Sequence, residues 1–170
     1  MLKEDKEKSE EIFKILSKNG FTKKEIGITI IDLKNPEARI FGFNMDHFIY
    51  PASVYKVFIG AEVLRRIEIG DFSLEQILEV RSPNDVDKDE NIFPGDKRGL
   101  LRARDKASID YLLNLMLTRS DNTASNVLID LVDRENINEN IIRKHGWHGS
   151  EVTRKFLDRT KEDEKFKYSE

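Results

Sequence analysis

Two clusters of side chains in this 170-residue chain carry groups capable of covalent chemistry. In Pro51-Ala52-Ser53-Val54-Tyr55-Lys56-Val57-Phe58 a hydroxyl and an amine stand at positions i and i+3, where an apolar stretch with helical spacing begins. Residues so spaced share one helix face, so Ser53 Oγ and Lys56 Nζ point into the same space. That is the arrangement of a serine nucleophile whose proton is taken by a neighbouring lysine. Alone the pair is a weak signal, because serine and lysine are common and mostly solvated. The second cluster, Ser120-Asp121-Asn122, lies in a tight turn between two well-patterned helices, from which side chains can be aimed into a cleft. All three residue types also favour helix N-termini, so by itself the turn reads first as a cap.

The elements that must position these groups follow from periodicity. Residues 3–18 are charged, with Ile12, Phe13, Ile15 and Leu16 gathered towards one side, and Asn19-Gly20 closes an amphipathic first helix. The β-branched run Ile26–Leu33 reads as a strand, Lys34-Asn35-Pro36-Glu37 as a turn and Arg39–Phe43 as a second strand. The second half of the first strand is apolar on both faces and asks for cover on each side. Two strands make a poor sheet by themselves. Val54, Val57, Phe58, Ala61 and Leu64 carry the next helix to Ile67, with Gly70 ending it; Gly60 falls on the Ser53 face, where bulk would crowd the site. Ser108 is the expected N-cap of a deeply buried helix bearing Ile109, Leu112, Leu113, Met116 and Leu117. Thr123 opens another with Ala124, Val127, Leu128 and Leu131, and Ile137, Ile141 and Ile142 give a further one ended by Gly146. Beyond Gly149 the periodicity fades, leaving Phe156, Leu157, Phe166 and Tyr168 as scattered anchors. The expected class is α+β and mostly helical. Residues 1–50 hold a helix and two strands of an incomplete antiparallel sheet, and residues 51–170 form a helical part with both motifs.

Composition excludes several functions. The net charge of −3 is too small and mixed for nucleic acid or an anionic membrane. No apolar run reaches membrane-spanning length, and Met1-Leu2-Lys3-Glu4-Asp5 is not a signal peptide. Without cysteine there is no disulfide, thiolate nucleophile or cysteine-ligated metal. Within the polar stretch from Arg81 to Gly99, Asp85-x-Asp87-x-Asp89 has the spacing of a calcium loop only superficially. Glu90 stands where the glycine belongs and Asp96 where the glutamate belongs, so a solvated acidic loop is expected. Lys97, Arg98, Arg102 and Arg104 form a small basic patch that either guides an anionic substrate or balances those aspartates. His145-x-x-His148 spans a helix stop and lacks a third ligand, so no zinc site is expected; with His47 these histidines read as structural. Trp147 reads as an anchor of its loop to the core.

Taken together, Pro-Ala-Ser-x-x-Lys opening an apolar helix and Ser-Asp-Asn-Thr-Ala-Ser-Asn opening a later one resemble the class A β-lactamases and their penicillin-interacting relatives. The resemblance covers nearly the whole chain, since a helix and two strands precede the first motif. It implies a β-lactamase/transpeptidase-like fold in which Ser53 is acylated by a β-lactam or a peptidyl-D-alanine carbonyl. It further implies that Lys56 accepts the Ser53 proton as a neutral amine, which burial and the positive end of its helix favour. Ser120 would relay a proton to the leaving nitrogen. Asn122 would hold Lys56 and hydrogen-bond the substrate's amide, and the Ser53 N–H would supply half of an oxyanion hole. Asp121 is expected to serve its turn rather than the chemistry. No metal or organic cofactor is implied, and relatives act outside the cytoplasm, so a periplasmic or secreted natural protein is expected.

The chain also departs from that pattern. The family's third element, Lys-Thr/Ser-Gly on a later strand, does not occur before Glu170; Lys144-His145-Gly146 closes a helix instead. That strand carries the second oxyanion donor, whose loss typically costs about 10²–10³ in rate. The family's deacylating glutamate sits in a Glu-x-x-x-Asn setting that the stretch Thr153–Glu164 lacks, leaving Glu162 and Glu164 as candidates. The expectation is therefore a shortened serine hydrolase, weak or inactive as it stands. Alternatives are a D,D-peptidase or transpeptidase on cell-wall peptides, and a non-catalytic domain pairing through its open sheet edge with a second copy or a complementing C-terminal segment.

Overall fold

The computed structural model describes residues 6–22, 24–30, 34, 41–44, 47–48, 50–87 and 95–157. The chain divides into two units, Met1–Pro51 and Ala52–Glu170.

In the first unit, helix α1 (Lys6–Lys18) presents half-buried Ile12, Phe13 and Leu16 on one side. Ile15 lies off that side and is exposed. Gly20 ends the helix as expected: its φ of +87° is a left-handed conformation that glycine adopts without a Cβ penalty, and the Phe21 N–H returns to Leu16 O. Strands β1 (Ile28–Ile30) and β2 (Phe41–Phe43) pair antiparallel, with Ile28 opposite Phe43 and Ile30 opposite Phe41. Phe13 stacks on Phe43 at 5.4 Å between ring centroids, which fixes α1 against the ribbon. Ile26 and Gly27, expected in the first strand, precede β1 outside it; residues 31–33 and 39–40 of the expected strands, and all of their turn but Lys34, lie outside the described residues.

The second unit is a helical core. A 3₁₀ turn (Ala52–Tyr55) runs directly into α2 (Lys56–Glu68), followed by α3 (Ile109–Arg119), α4 (Asn122–Val132) and the short α5 (Arg134–Ile137). A π-helical turn, Asn138–Arg143, continues α5. Ile59 and Val63 from α2, Leu112, Leu115 and Met116 from α3, Leu128 from α4, and Ile137 and Ile142 from the last helical stretch form one fully buried cluster. Burying each such side chain contributes about 1.5–3 kcal/mol.

The buried stripe of α2 is rotated from the expected one. Val54 (68% exposed), Val57 and Leu64 face outward, while Lys56, Ile59, Gly60, Glu62 and Val63 face inward. Gly60 consequently meets α3: a Cβ there would lie 3.7 Å from Leu117 Cδ2 and Met116 Cε, ordinary packing distance between helices rather than crowding of the site. Likewise Leu115 is buried on α3, and Leu117 is half exposed. Charged Glu62 tolerates full burial because Arg65 grips both its oxygens at 2.7 Å and Asn140 Nδ2 adds a third donor.

A second small sheet, β3 (Ile77–Glu79) with β4 (Lys106–Ser108), joins the helical unit and was not expected from the sequence. Its strands are three residues long, too short to show alternation. β4 passes straight into α3, whose N-cap Ser108 accepts the Tyr111 N–H as expected. Ile109 and Asp110 donate to Gln76 O and Leu74 O, pinning the start of α3 to the chain before β3. Among the described residues no helix is long and apolar enough to cross a membrane.

Candidate active site

Ser53 sits in the 3₁₀ turn and is exposed, and Lys56 is the first residue of α2 and only 3% exposed. The two residues thus lie on either side of the junction between the 3₁₀ turn and α2, the serine exposed and the lysine buried. Ala52, just before the serine, has φ of +46°, an uncommon value for a residue with a Cβ.

Lys56 reaches across to the turn between α3 and α4. Its Nζ donates to Ser120 O at 2.6 Å, to Ser120 Oγ at 2.9 Å and to Asn122 Oδ1 at 2.6 Å. The two sequence clusters therefore meet in one constellation. Ser120 is the C-cap of α3 and has φ of +61°, a left-handed conformation that costs a residue with a Cβ about 1–2 kcal/mol. That conformation presents both its carbonyl and its hydroxyl oxygen to the same amine.

What overcomes the strain is a set of buried polar bonds. Asp121, fully buried, caps α4 by accepting the Ala124 N–H at 2.7 Å and pairs with Arg119 at 2.8 Å. Arg119 in turn donates to Arg98 O and Gly99 O, and Arg98 bonds Asp96, Asn114 Oδ1 and Thr118 Oγ1. Arg98, through its side chain first and its N–H second, holds the Asp96 carboxyl well below the usual carboxylate range. Of the expected basic patch, Arg98 is thus committed to fastening its own loop onto α3.

The acidic stretch differs most from expectation. Asp85 and Asp87 are buried, not solvated. Asp87 Oδ2 accepts the Asn122 N–H at 2.6 Å and Oδ1 the Asn122 side-chain amide at 3.3 Å, while the Asp87 N–H donates to Thr123 Oγ1. Nearby, Asn84 bonds Asp130 and receives Lys155 Nζ. The physical reason is that the start of α4 exposes N–H groups without helical partners, and a carboxylate satisfies them. No sequence signal linked Asp87 to a turn so distant in the chain.

Phe156 is the other residue whose placement periodicity could not give. Asn126 grips its backbone in both directions, accepting the Phe156 N–H at 2.8 Å and donating to its carbonyl at 2.9 Å. Asn138 grips Val152 in the same way. Thus held, the Phe156 ring stacks on Tyr55 at 5.0 Å and lies over Lys56, 4.3 Å from Nζ to centroid. Trp147 packs on Phe58 as a loop anchor, and His145 bonds Ile141 O and stacks on Trp147. Glu162 and Glu164 lie outside the described residues. Among the described residues no group of three or more metal-ligating side chains is assembled.

The helical core thus carries a buried lysine hydrogen-bonded to Ser120 and Asn122, three positions along the chain from an exposed serine. The sequence pattern of the β-lactamase enzyme family (Beta-lactamase2) matches residues 7–169, and the chain belongs to that family. Among solved structures it is similar to the β-lactamase from Sphaerobacter thermophilus, with 27% identity and a TM-score of 0.61 over 76% of this chain and 46% of that one. It is similar to an ancestral class A β-lactamase with 20% identity and a TM-score of 0.67, over 86% and 52% of the two chains. PBP-A aligns with 17% identity and a TM-score of 0.69, over 91% and 55%. The β-lactamase-like α+β fold is therefore established, and the chain spans about half the length of these structures. A search of curated proteins found no match.

Proposed function

We propose that this chain carries the acylating centre of a serine acyl-transfer enzyme in which Ser53 forms an ester with a β-lactam or a D-alanyl peptide. The observation that supports it best is the buried Lys56 amine, hydrogen-bonded to Ser120 Oγ and Asn122 Oδ1 and three positions from an exposed serine. As a neutral amine, Lys56 takes the Ser53 hydroxyl proton while Oγ bonds to the carbonyl carbon. The Ser53 N–H stabilises the oxyanion that forms. When the C–N bond breaks, Ser120 gives its hydroxyl proton to the departing nitrogen and recovers one from Lys56, leaving a neutral lysine and an ester. Asn122 holds Lys56 throughout and hydrogen-bonds the substrate's amide.

A specific observation favours slow release of that ester, as in a D,D-peptidase or transpeptidase-like protein. The Phe156 ring covers one side of Lys56, and an aromatic ring can neither take a proton from water nor hold a water firmly. The substrates on this reading lie outside the cytoplasm, so a periplasmic or secreted site of action is part of the proposal. The test is incubation of the natural full-length protein with nitrocefin and with a D-alanyl peptide, followed by intact-mass measurement. A persistent one-to-one acyl adduct with little turnover is expected. Fast, steady nitrocefin hydrolysis without an adduct would exclude slow release, and absence of both adduct and turnover would exclude the acyl-transfer reading.

A further inference from the structure

Resting on that reading, we infer that Asp87 is a positioning residue for the reaction: it sets the orientation of the Asn122 amide and, through it, the seat of the Lys56 amine. Asp87 is only 1% exposed, and a carboxylate in such a place is costly unless donors surround it. Capping alone would require one oxygen to accept the Asn122 N–H, as Oδ2 does at 2.6 Å. The second oxygen is turned instead to the Asn122 side-chain Nδ2 at 3.3 Å. Because an amide has its oxygen opposite its NH₂, anchoring Nδ2 on Asp87 leaves Oδ1 aimed at Lys56 Nζ, 2.6 Å away.

The reversed amide would set an oxygen against the Asp87 carboxylate and an NH₂ against an amine donor, two repulsive contacts in a buried site. The chain carboxylate–amide–amine thus has a fixed direction. Thr123 Oγ1, accepting the Asp87 N–H at 3.2 Å, holds the backbone of Asp87 to the same turn. Asp121 already caps α4 at Ala124, so Asp87 is not needed as the helix's only cap.

Asp87→Asn tests this, because the new side chain keeps one acceptor and places a donor where the second was. The rate of acylation by a fluorescent penicillin is expected to fall roughly ten- to hundred-fold, the range for losing a hydrogen bond to a charged group. In an Asn122→Ala background the same change is expected to add little, since the residue it acts through is gone. A wild-type rate in Asp87→Asn, or an effect that adds in full to Asn122→Ala, would overturn the inference. If the wild type itself takes no label, the acyl-transfer reading fails, and the Asn122 side-chain amide resonances in ¹⁵N NMR decide the inference alone. They are expected to shift in Asp87→Asn, and unchanged resonances would overturn it. Asp87→Ser removes the same acceptor and stands in should Asp87→Asn not fold; failure of both to fold would make Asp87 a folding brace and overturn the positioning role.

Discussion

The Phe156 ring lies over the amine of Lys56, with Nζ 4.3 Å from the ring centroid, although 100 positions separate the two residues in the chain. The contact is built rather than incidental, because Asn126 holds the Phe156 backbone at both its N–H and its carbonyl. If this ring is what denies the ester an activated water, Phe156→Glu should shorten the life of the acyl adduct by about 10²-fold, the lower range for a positioned general base. Phe156→Leu should leave it long. Decay of label followed on a gel decides the matter; equal decay in both variants would show that the ring does not limit release.

Asp121 bears more of the fold than its place in a surface-type turn would suggest. It caps α4 and neutralises Arg119 in a site where their side chains are 0% and 4% exposed. Asp121→Ala would leave Arg119 buried without this partner, a loss of about 3–5 kcal/mol in urea unfolding. Glu135→Ala, which removes an exposed ion pair with Arg134, should cost less than about 1 kcal/mol. Similar costs for the two would contradict the burial argument.

Acid should loosen the loop that Arg98 fastens. The Asp96 carboxyl is held below its ordinary value of 3.8, first by the Arg98 side chain. A depressed folded-state value means the stabilisation is fully present above that ordinary value and is lost progressively as the pH falls below it. Unfolding measured across the acid range should therefore show a shallower decline in Asp96→Asn than in wild type. Parallel acid limbs would remove Asp96 from the account.

Gly60 offers a test of helix packing. A Cβ would meet Leu117 and Met116 at 3.7 Å, an ordinary contact, and alanine is the better helix former. Gly60→Ala is expected to raise stability by about 0.5–1 kcal/mol by thermal unfolding, with acylation unchanged. A loss of either would mean that the position is crowded after all.

What could be read from the chain alone was local. The Ser108 cap and the glycine stops are written in neighbouring residues, and they appear in the structure. Ser120 and Asn122 could be tied to Lys56 only through resemblance, because a hydrogen bond across 64 or 66 positions leaves no periodic trace. From the sequence Asp87 reads as solvated for the same reason: its partner is a helix start far along the chain, and an acidic loop looks alike whether it faces water or unpaired N–H groups. Strands of three residues are below the length at which alternation shows, which hid β3 and β4. The rotated stripe of α2 reflects tertiary packing overriding a simple apolar count, with Lys56 and Glu62 taking inward positions because polar partners await them.

The central claim is that Ser53 is a nucleophile activated by Lys56. Labelling of the natural full-length protein with a fluorescent penicillin, followed by peptide mapping, tests it most directly. The account predicts one label per chain on the peptide bearing Ser53, none in Ser53→Ala, and labelling slowed about 10²–10⁴-fold in Lys56→Met. An unlabelled wild type, or label undiminished in Ser53→Ala, would contradict it.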